Sequence, residues 1–430
     1  MAFALQQIVV VSGLEVQGTY GFRSYQNMLL DRAFGNYRDV LRSVIVSPVM
    51  GDYLNHVNND KAAPNENFAR ELLQLFSIGT CNLDADGARS GGRCTPSYDN
   101  EMVRSYAYAL TGWTFAPGGA SAGGCWPSGS NCRYYGADMV AWEARHDKLQ
   151  RQLLAGVTLP AGQSTAASME KVLDSLMAHG NTAPFIGRQL IQHLVTSNPS
   201  PAYVGRVSAA FTSGRYTAVD GAAFGGGSRG DLAATVAAVL LDAEARSDTS
   251  AASFGKLREP ALMFTAVLRA LDGHTDGEQF SWWWGDSLRE HVFRAPSVFG
   301  FYAPDFPVAG TTLVGPSFGL HGADAALARL NFLAYLLDWG GSPPGNSVPG
   351  AVGTGVDLTR FAADAADPPT LVDKLSVLAT GTTLPSAVRD KVILAVQAWT
   401  PARDSQNWKT RRVQSAAYLV FASPRFQVQR

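Results

Sequence analysis

Charge is the first thing this sequence has little of. Only 17% of its 430 residues are Asp, Glu, Lys or Arg, and the signs nearly cancel, 35 basic against 36 acidic. A near-neutral chain offers no electrostatic footprint for nucleic acid or an anionic membrane. At 46% hydrophobic it also lacks the profile of a disordered segment. No uncharged apolar run reaches the roughly 18 residues of a membrane-spanning helix, so no transmembrane segment is expected. Sustained strand alternation is nearly missing, and no internal repeat suggests a solenoid. A Gly-x-Ser-x-Gly elbow, a His-Glu-x-x-His pair, a phosphate-binding loop and a dinucleotide fingerprint are all missing. Common hydrolases, zincins and nucleotide enzymes are thereby disfavoured. What is left is a globular chain with a large core.

Cysteine is scarce too, and its four positions form two local pairs, Cys81 with Cys94 and Cys125 with Cys132. Each pair brackets a turn-rich segment, and neither has the knuckle spacing of a zinc site. Two short disulfide-closed loops fit better, and disulfides persist in oxidising compartments, so a periplasmic or secreted location is expected. The stretch Met1–Gly13 shows no basic region or cleavage site and resembles the interior of a domain helix. An export signal and first helices are therefore expected upstream.

Period-3.6 patterning predicts helices over 37–45, 65–78, 100–110, 167–179, 182–195 and 202–211. It predicts more over 232–241, 260–271, 323–337 and 371–378. Asn65 is the expected N-cap of the second of these, and Gly79 its stop. The best strand candidates flank Asp86-Gly87 as a tight hairpin. The fold class is mainly α: a multi-helix protein with a small β-hairpin excursion and disulfide-closed loops. The chain is expected to be one helical unit over 1–430. Its sub-regions are N-terminal helices over 1–115, a loop insertion over 116–145, middle helices over 146–245 and C-terminal helices over 253–430.

Residues Pro64 to Gly79, reading PNENFARELLQLFSIG, resemble the signature of the bacterial family labelled domain of unknown function 1800. Further stretches are similar in family order: Phe3–Ile8, Ala33–Arg38, Leu110-Thr111-Gly112-Trp113, His146-Asp147, Pro184–Ile186, Lys256–Pro260 and Pro296–Phe301. The resemblance implies a mainly helical fold, an envelope or secreted setting and a neighbour from an exported sulfatase-like family. It implies no activity. Two departures stand out: Ser47 occupies a position where the family often has His, and the family's usual N-terminal segment is not seen.

On a helix over 65–78, Asn67, Arg70, Glu71 and Gln74 fall at i, i+3, i+4 and i+7 and make a wholly polar stripe beside the apolar one of Phe68, Leu72, Leu75 and Phe76. Glu66 stands one turn before Arg70, a favourable ion-pair spacing. A solvated face is the ordinary reading. In a charge-poor chain, a stripe turned inward would make a pocket of Glu66, Arg70, Glu71, His146 and Asp147, supported by Asn67 and Trp113. Such residues suit either an acid/base site or, with Glu71 and His146 as ligands, a divalent metal. His146 as a purely structural side chain is the alternative. His56, among Asn55, Asn58 and Asn59, is a weaker candidate for the same cleft, and a structural role is the default for His179 and His193. Asn82-x-Asp84-x-Asp86-Gly87 imitates a calcium loop, but Arg93 stands where the bidentate Glu belongs, so a hairpin turn is favoured. Trp282-Trp283-Trp284 suits core packing better than a sugar platform. Two functional readings follow: a metal-dependent or acid/base enzyme, or a non-catalytic envelope scaffold that binds the sulfatase-like protein.

Overall fold

Capping side chains set six of the first ten helix starts. Asn36 accepts from Arg38 N–H where α3 (Tyr37–Val46) begins, after α1 (Ala2–Ile8) and α2 (Thr19–Asp31). Ser47 does the same for α4 (Pro48–Tyr53), with Pro48 at a first-turn position where its missing N–H costs nothing. The helices α5 (Asn67–Gln74), α6 (Asn100–Ala109), α7 (Thr165–Ala178), α8 (Thr182–Leu194), α9 (Pro201–Ser213) and α10 (Leu232–Leu241) follow. Side chains of Asp99, Ser164, Ser200 and Asp231 cap α6, α7, α9 and α10. These coordinates are a computed structural model that describes residues 1–121, 123–247, 251, 253–345 and 349–430, the Trp282 side chain excepted.

The chain divides into two compact units, Met1–Phe254 with Phe293–Gly300, and Gly255–Val292 with Phe301–Arg430. In the first, α8 packs on α9 and α10, and α5 on α6. Its core includes Leu5, Leu29, Leu41, Phe68, Phe76, Tyr106, Tyr203 and Phe211. The buried hydroxyls of Tyr25, Tyr37, Tyr106 and Tyr203 reach backbone or side-chain partners, as Tyr37 does in donating to the Phe76 carbonyl at 2.6 Å. The second unit holds α11 (Pro260–Ala270), the single turn α12 (Gly285–Ser287), α13 (Ala323–Leu337), α14 (Pro368–Thr380), α15 (Ser386–Gln397), α16 (Trp408–Phe421) and α17 (Pro424–Gln427). Its own core gathers Met263, Phe264, Phe332, Leu336, Leu375, Val420 and Phe421. Helix period carries no signal for the division, because both units are built from the same kind of amphipathic segment.

Strands are two-residue ribbons. In the first unit β1 (Trp113–Thr114) pairs with β2 (Val140–Ala141), β3 (Arg151–Gln152) with β4 (Thr158–Leu159), and β5 (Tyr216–Thr217) with β6 (Ala223–Phe224). In the second, β7 (Lys256–Leu257), β8 (His274–Thr275), β9 (Thr354–Gly355) and β10 (Val428–Gln429) pair as β7 with β10 and β8 with β9. The hairpin expected around Asp86-Gly87 forms through the bridges Cys81↔Pro96 and Leu83↔Arg89. Both cysteine pairs are disulfides, with Cα–Cα distances of 5.0 Å for Cys81–Cys94 and 4.8 Å for Cys125–Cys132.

Three differences from the sequence reading have physical causes. The signature helix is shorter, Asn67–Gln74, because Asn65 Oδ1 accepts from Asn67 N–H and folds the entry as a side-chain turn. At the other end, the N–H groups of Ile78 and Gly79 both return to the Leu73 carbonyl, and Gly79 takes φ 73°. Helices α2, α15 and α16 were not expected. The core face of α15 is sparse, with Val392, Ile393 and Val396 as its buried positions. Finally, Gln279–Trp284 is a π-helical turn in which Trp283 is exposed and Trp284 packs on Phe332. The Trp282 part of the Trp282–Trp284 reading lies outside the described side chains.

Candidate functional site

Helix α5 sorts the polar stripe by depth. Its apolar face buries Phe68, Leu72 and Leu73, while Asn67 is exposed and Arg70 half-exposed. Glu66 pairs with Arg70 at 3.1 Å and with Arg104 of α6 at 3.5 Å, a partly solvated network linking the two helices. Only Glu71 turns inward, with 7% exposure. Its Oε2 is buried with no hydrogen-bond partner. Burial raises the Glu71 carboxyl above the ordinary carboxylate range, and the Arg70 charge only partly offsets this.

Two phenols register the Glu71 charge. Burial first raises the hydroxyls of Tyr53, at the end of α4, and Tyr98, just before α6, and charge adds to it, from Glu15 and then Glu71 at Tyr53 and from Glu71 at Tyr98. The Tyr53 hydroxyl is itself buried and unpartnered. One turn away on the same α5 face, Phe68 stacks on His56 at 4.3 Å. His56 is fully buried, neither ring nitrogen makes a well-formed bond, and burial lowers its pKa to about 3 despite the nearby Ile45 carbonyl. The connecting loop is braced by asparagines. Asn59 exchanges two bonds with the Asn65 backbone, and Asn55 and Asn58 take the left-handed conformation that Asn tolerates best, at φ 57° and 59°.

His146 and Asp147 belong to a different cluster. Nδ1 of His146 lies 2.8 Å from the Thr111 carbonyl and Nε2 2.9 Å from the Ser168 hydroxyl. The carbonyl can only accept, so Nδ1 carries the proton and Nε2 accepts from Ser168. Thr111 Oγ1 in turn accepts from Asp147 N–H. Gly112, at φ 87°, completes the clasp: a Cβ there would lie 2.7 Å from His146 Cβ. Asp147 is spent on Arg151 at 2.8 Å, whose guanidinium lies over the Tyr108 ring. Trp113 is buried beside this clasp, with its indole N–H unpartnered.

The stretches 110–113 and 146–147 therefore meet, but as a structural joint. The shared pocket expected for Glu66, Arg70, Glu71, His146 and Asp147 is not assembled: Glu71 is buried with an unpartnered oxygen, Glu66 pairs with Arg70 and Arg104, Asp147 pairs with Arg151, and both nitrogens of His146 are taken. The Glu71–His146 metal reading loses its imidazole for the same reason. Among the described residues, no group of three or more His, Cys, Asp or Glu side chains is placed to hold a metal ion. His179 takes the structural role expected of it, accepting from Asn181 N–H past the end of α7. The calcium-like acids bond locally, Asp84 to Ser90 and Asp86 to Ala88 N–H.

The second unit contains a charged cluster that sequence reasoning missed. Lys256 of β7 pairs with Glu259 at 3.0 Å, both side chains 1% exposed. Glu290 accepts from Ala261 N–H at the start of α11 at 2.7 Å, and its other oxygen has no hydrogen-bond partner. Burial, and then repulsion from Glu259, push the Glu290 carboxyl well above its ordinary range. Arg329 of α13 donates to Gln427 and to the Arg258 carbonyl and faces both acids. Lys256 and Glu259 share a family-like stretch and could have been noticed there. Glu290 and Arg329 carry no sequence signal. With Lys256, Glu259, Glu290 and Arg329 each at 3% exposure or less, this cluster ties elements together within its unit.

Among the described residues, no helix is long and apolar enough to cross a membrane. A family model described as protein of unknown function (DUF1800) matches residues 1–428. No curated protein and no solved structure matches the chain.

Proposed function

The chain belongs to that family, DUF1800, whose description assigns no activity, and we propose from its chemistry an exported acid/base enzyme with Glu71 as the proton-transferring group. One observation carries this reading. Glu71 is the only sequence-predicted site residue that is buried, holds an unpartnered oxygen and has a raised carboxyl pKa. A carboxyl tuned upward toward neutrality is what general acid/base work requires. Tyr53 and Tyr98 would orient a bound group or relay its proton. The periplasmic or secreted address draws support from the two disulfides.

The second reading is a non-catalytic envelope scaffold or binding partner of an exported sulfatase-like protein. It draws support from the structural engagement of Glu66, Arg70, His146 and Asp147. Glu71→Gln separates the two. A carboxylate that is buried without a partner costs stability when ionised, so the acid/base reading predicts a folded variant at least as stable as the parent at pH 8. Thermal melts of both proteins provide the measurement. A marked loss of stability would place Glu71 among the ties and leave the scaffold reading standing.

A further inference from the structure

A cavity of about 320 Å³ lies beside the second disulfide loop, lined among others by Asp52, Asn58, Phe115, Trp126, Asn131 and Arg133. We infer that it binds a neutral carbohydrate, with Trp126 as the stacking platform and the asparagine side chains as hydroxyl partners. This rests on no role assigned to Glu71.

Four observations point the same way. Trp126 is 86% exposed, an unusual placement for the largest apolar side chain in a charge-poor protein. An indole face that is apolar yet wet suits the C–H face of a pyranose ring. Second, the position of that indole is braced. The Cys125–Cys132 disulfide closes the loop on either side of it, and Asn131 ties the loop to the fold, its side-chain amide donating to the Phe115 carbonyl at 2.7 Å and its backbone N–H to Thr114 Oγ1 at 3.2 Å. Preorganisation of this kind lowers the ordering cost of binding.

Third, the cavity carries no uncompensated charge. Arg133 lies 2.9 Å from Asp52, which also accepts from the Tyr135 hydroxyl. That pairing disfavours phosphate, sulfate and acidic ligands and leaves polar but neutral chemistry. Fourth, Asn58 donates to the Trp126 carbonyl at 3.4 Å and accepts from Thr114 Oγ1 at 2.7 Å, and Asn131 donates to Phe115, which leaves each amide a second N–H and an oxygen lone pair for sugar hydroxyls. The volume sits at the lower end of small-molecule sites, about 300–1,000 Å³, and fits one or two sugar rings.

The test is calorimetric titration of the full chain with cellohexaose, chitohexaose, mannohexaose and a heparin hexasaccharide, with tryptophan fluorescence as a second readout. The expected result is millimolar or tighter binding of at least one neutral oligosaccharide, with a blue shift in emission. Trp126→Ala should weaken it about tenfold or more while leaving the melting temperature unchanged, because the side chain is exposed. A Cys125→Ser/Cys132→Ser double variant should also bind more weakly. Failure of all three neutral sugars to bind at millimolar concentration overturns the inference. So does unchanged affinity in Trp126→Ala, or a clear preference for the heparin fragment.

Discussion

The Ser168 hydroxyl stands 2.9 Å from Nε2 of His146 and occupies the lone pair a metal ion would need. The Thr111 carbonyl holds the other nitrogen at 2.8 Å, so the imidazole is a cross-brace between the stretch entering β1 and α7. Two outcomes are expected. Ser168→Ala leaves a buried nitrogen without its donor and should cost roughly 1–3 kcal/mol in urea unfolding. Chelator treatment should leave the melting temperature of the parent protein unchanged. A fall in melting temperature with EDTA, reversed by zinc or manganese, would mean that His146 rearranges to bind metal.

How much of this was legible beforehand depends on the kind of signal. Helices of strong apolar period, such as α3, and of high apolar content, such as α10, were readable because the signal is local. The clasp of Thr111, Gly112, His146 and Asp147 was readable only as two separate stretches. Nothing local states that Gly112 clears space for a side chain more than thirty positions away. Glu71 was readable as polar and helical, but its depth was not, since the 100° step that buries it also exposes Arg70. The tyrosines that sense its charge were invisible as such: Tyr53 and Tyr98 look like ordinary core residues until the chain is folded. Lys256 and Glu259 at least lie three apart, whereas Glu290 reaches them only through tertiary structure.

His56 makes the first unit acid-sensitive. Its pKa falls from 6.5 to about 3 on folding, with burial as the main cause. A depressed histidine contributes stability that is complete above pH 6.5 and is lost as pH falls toward 3, because the unfolded chain takes up the proton first. The loss approaches about 5 kcal/mol at the acid end, at about 1.36 kcal/mol per unit. His56→Phe keeps a ring against Phe68 and removes the titrating group. Its unfolding free energy should change little at pH 7.5 and should fall much less steeply than the parent's between pH 6.5 and 4. Parallel acid limbs in the two proteins would show that His56 does not drive the sensitivity.

In the second unit, the buried Lys256 pairs with Glu259 at 3.0 Å. Lys256→Met would leave Glu259 buried next to Glu290 without its ammonium, a loss of roughly 3–5 kcal/mol by the usual cost of breaking a buried pair. Adding Glu259→Leu to the same variant removes the stranded charge and should recover much of that loss. Denaturant melts of the single and double variants, read as a cycle, give the coupling. Additive losses would mean that the two charges do not act as a pair.

Glu290 should oppose folding at alkaline pH. Its carboxyl is raised in the folded state by burial first and by Glu259 second, while in the unfolded chain it titrates normally. Between those two values the folded protein binds more protons, so stability is full below the unfolded pKa and declines as pH rises through the folded one. Glu290→Gln retains an oxygen for Ala261 N–H, preserves the volume and cannot ionise. The variant should therefore be more stable than the parent by roughly 1–3 kcal/mol at pH 9, the scale of relieving a buried unsatisfied group, with the advantage shrinking toward pH 4. Calorimetry across that range reads the difference directly. A variant less stable than the parent at every pH would mean that the ionised carboxylate, held by Lys256 and Arg329, is the form the fold prefers.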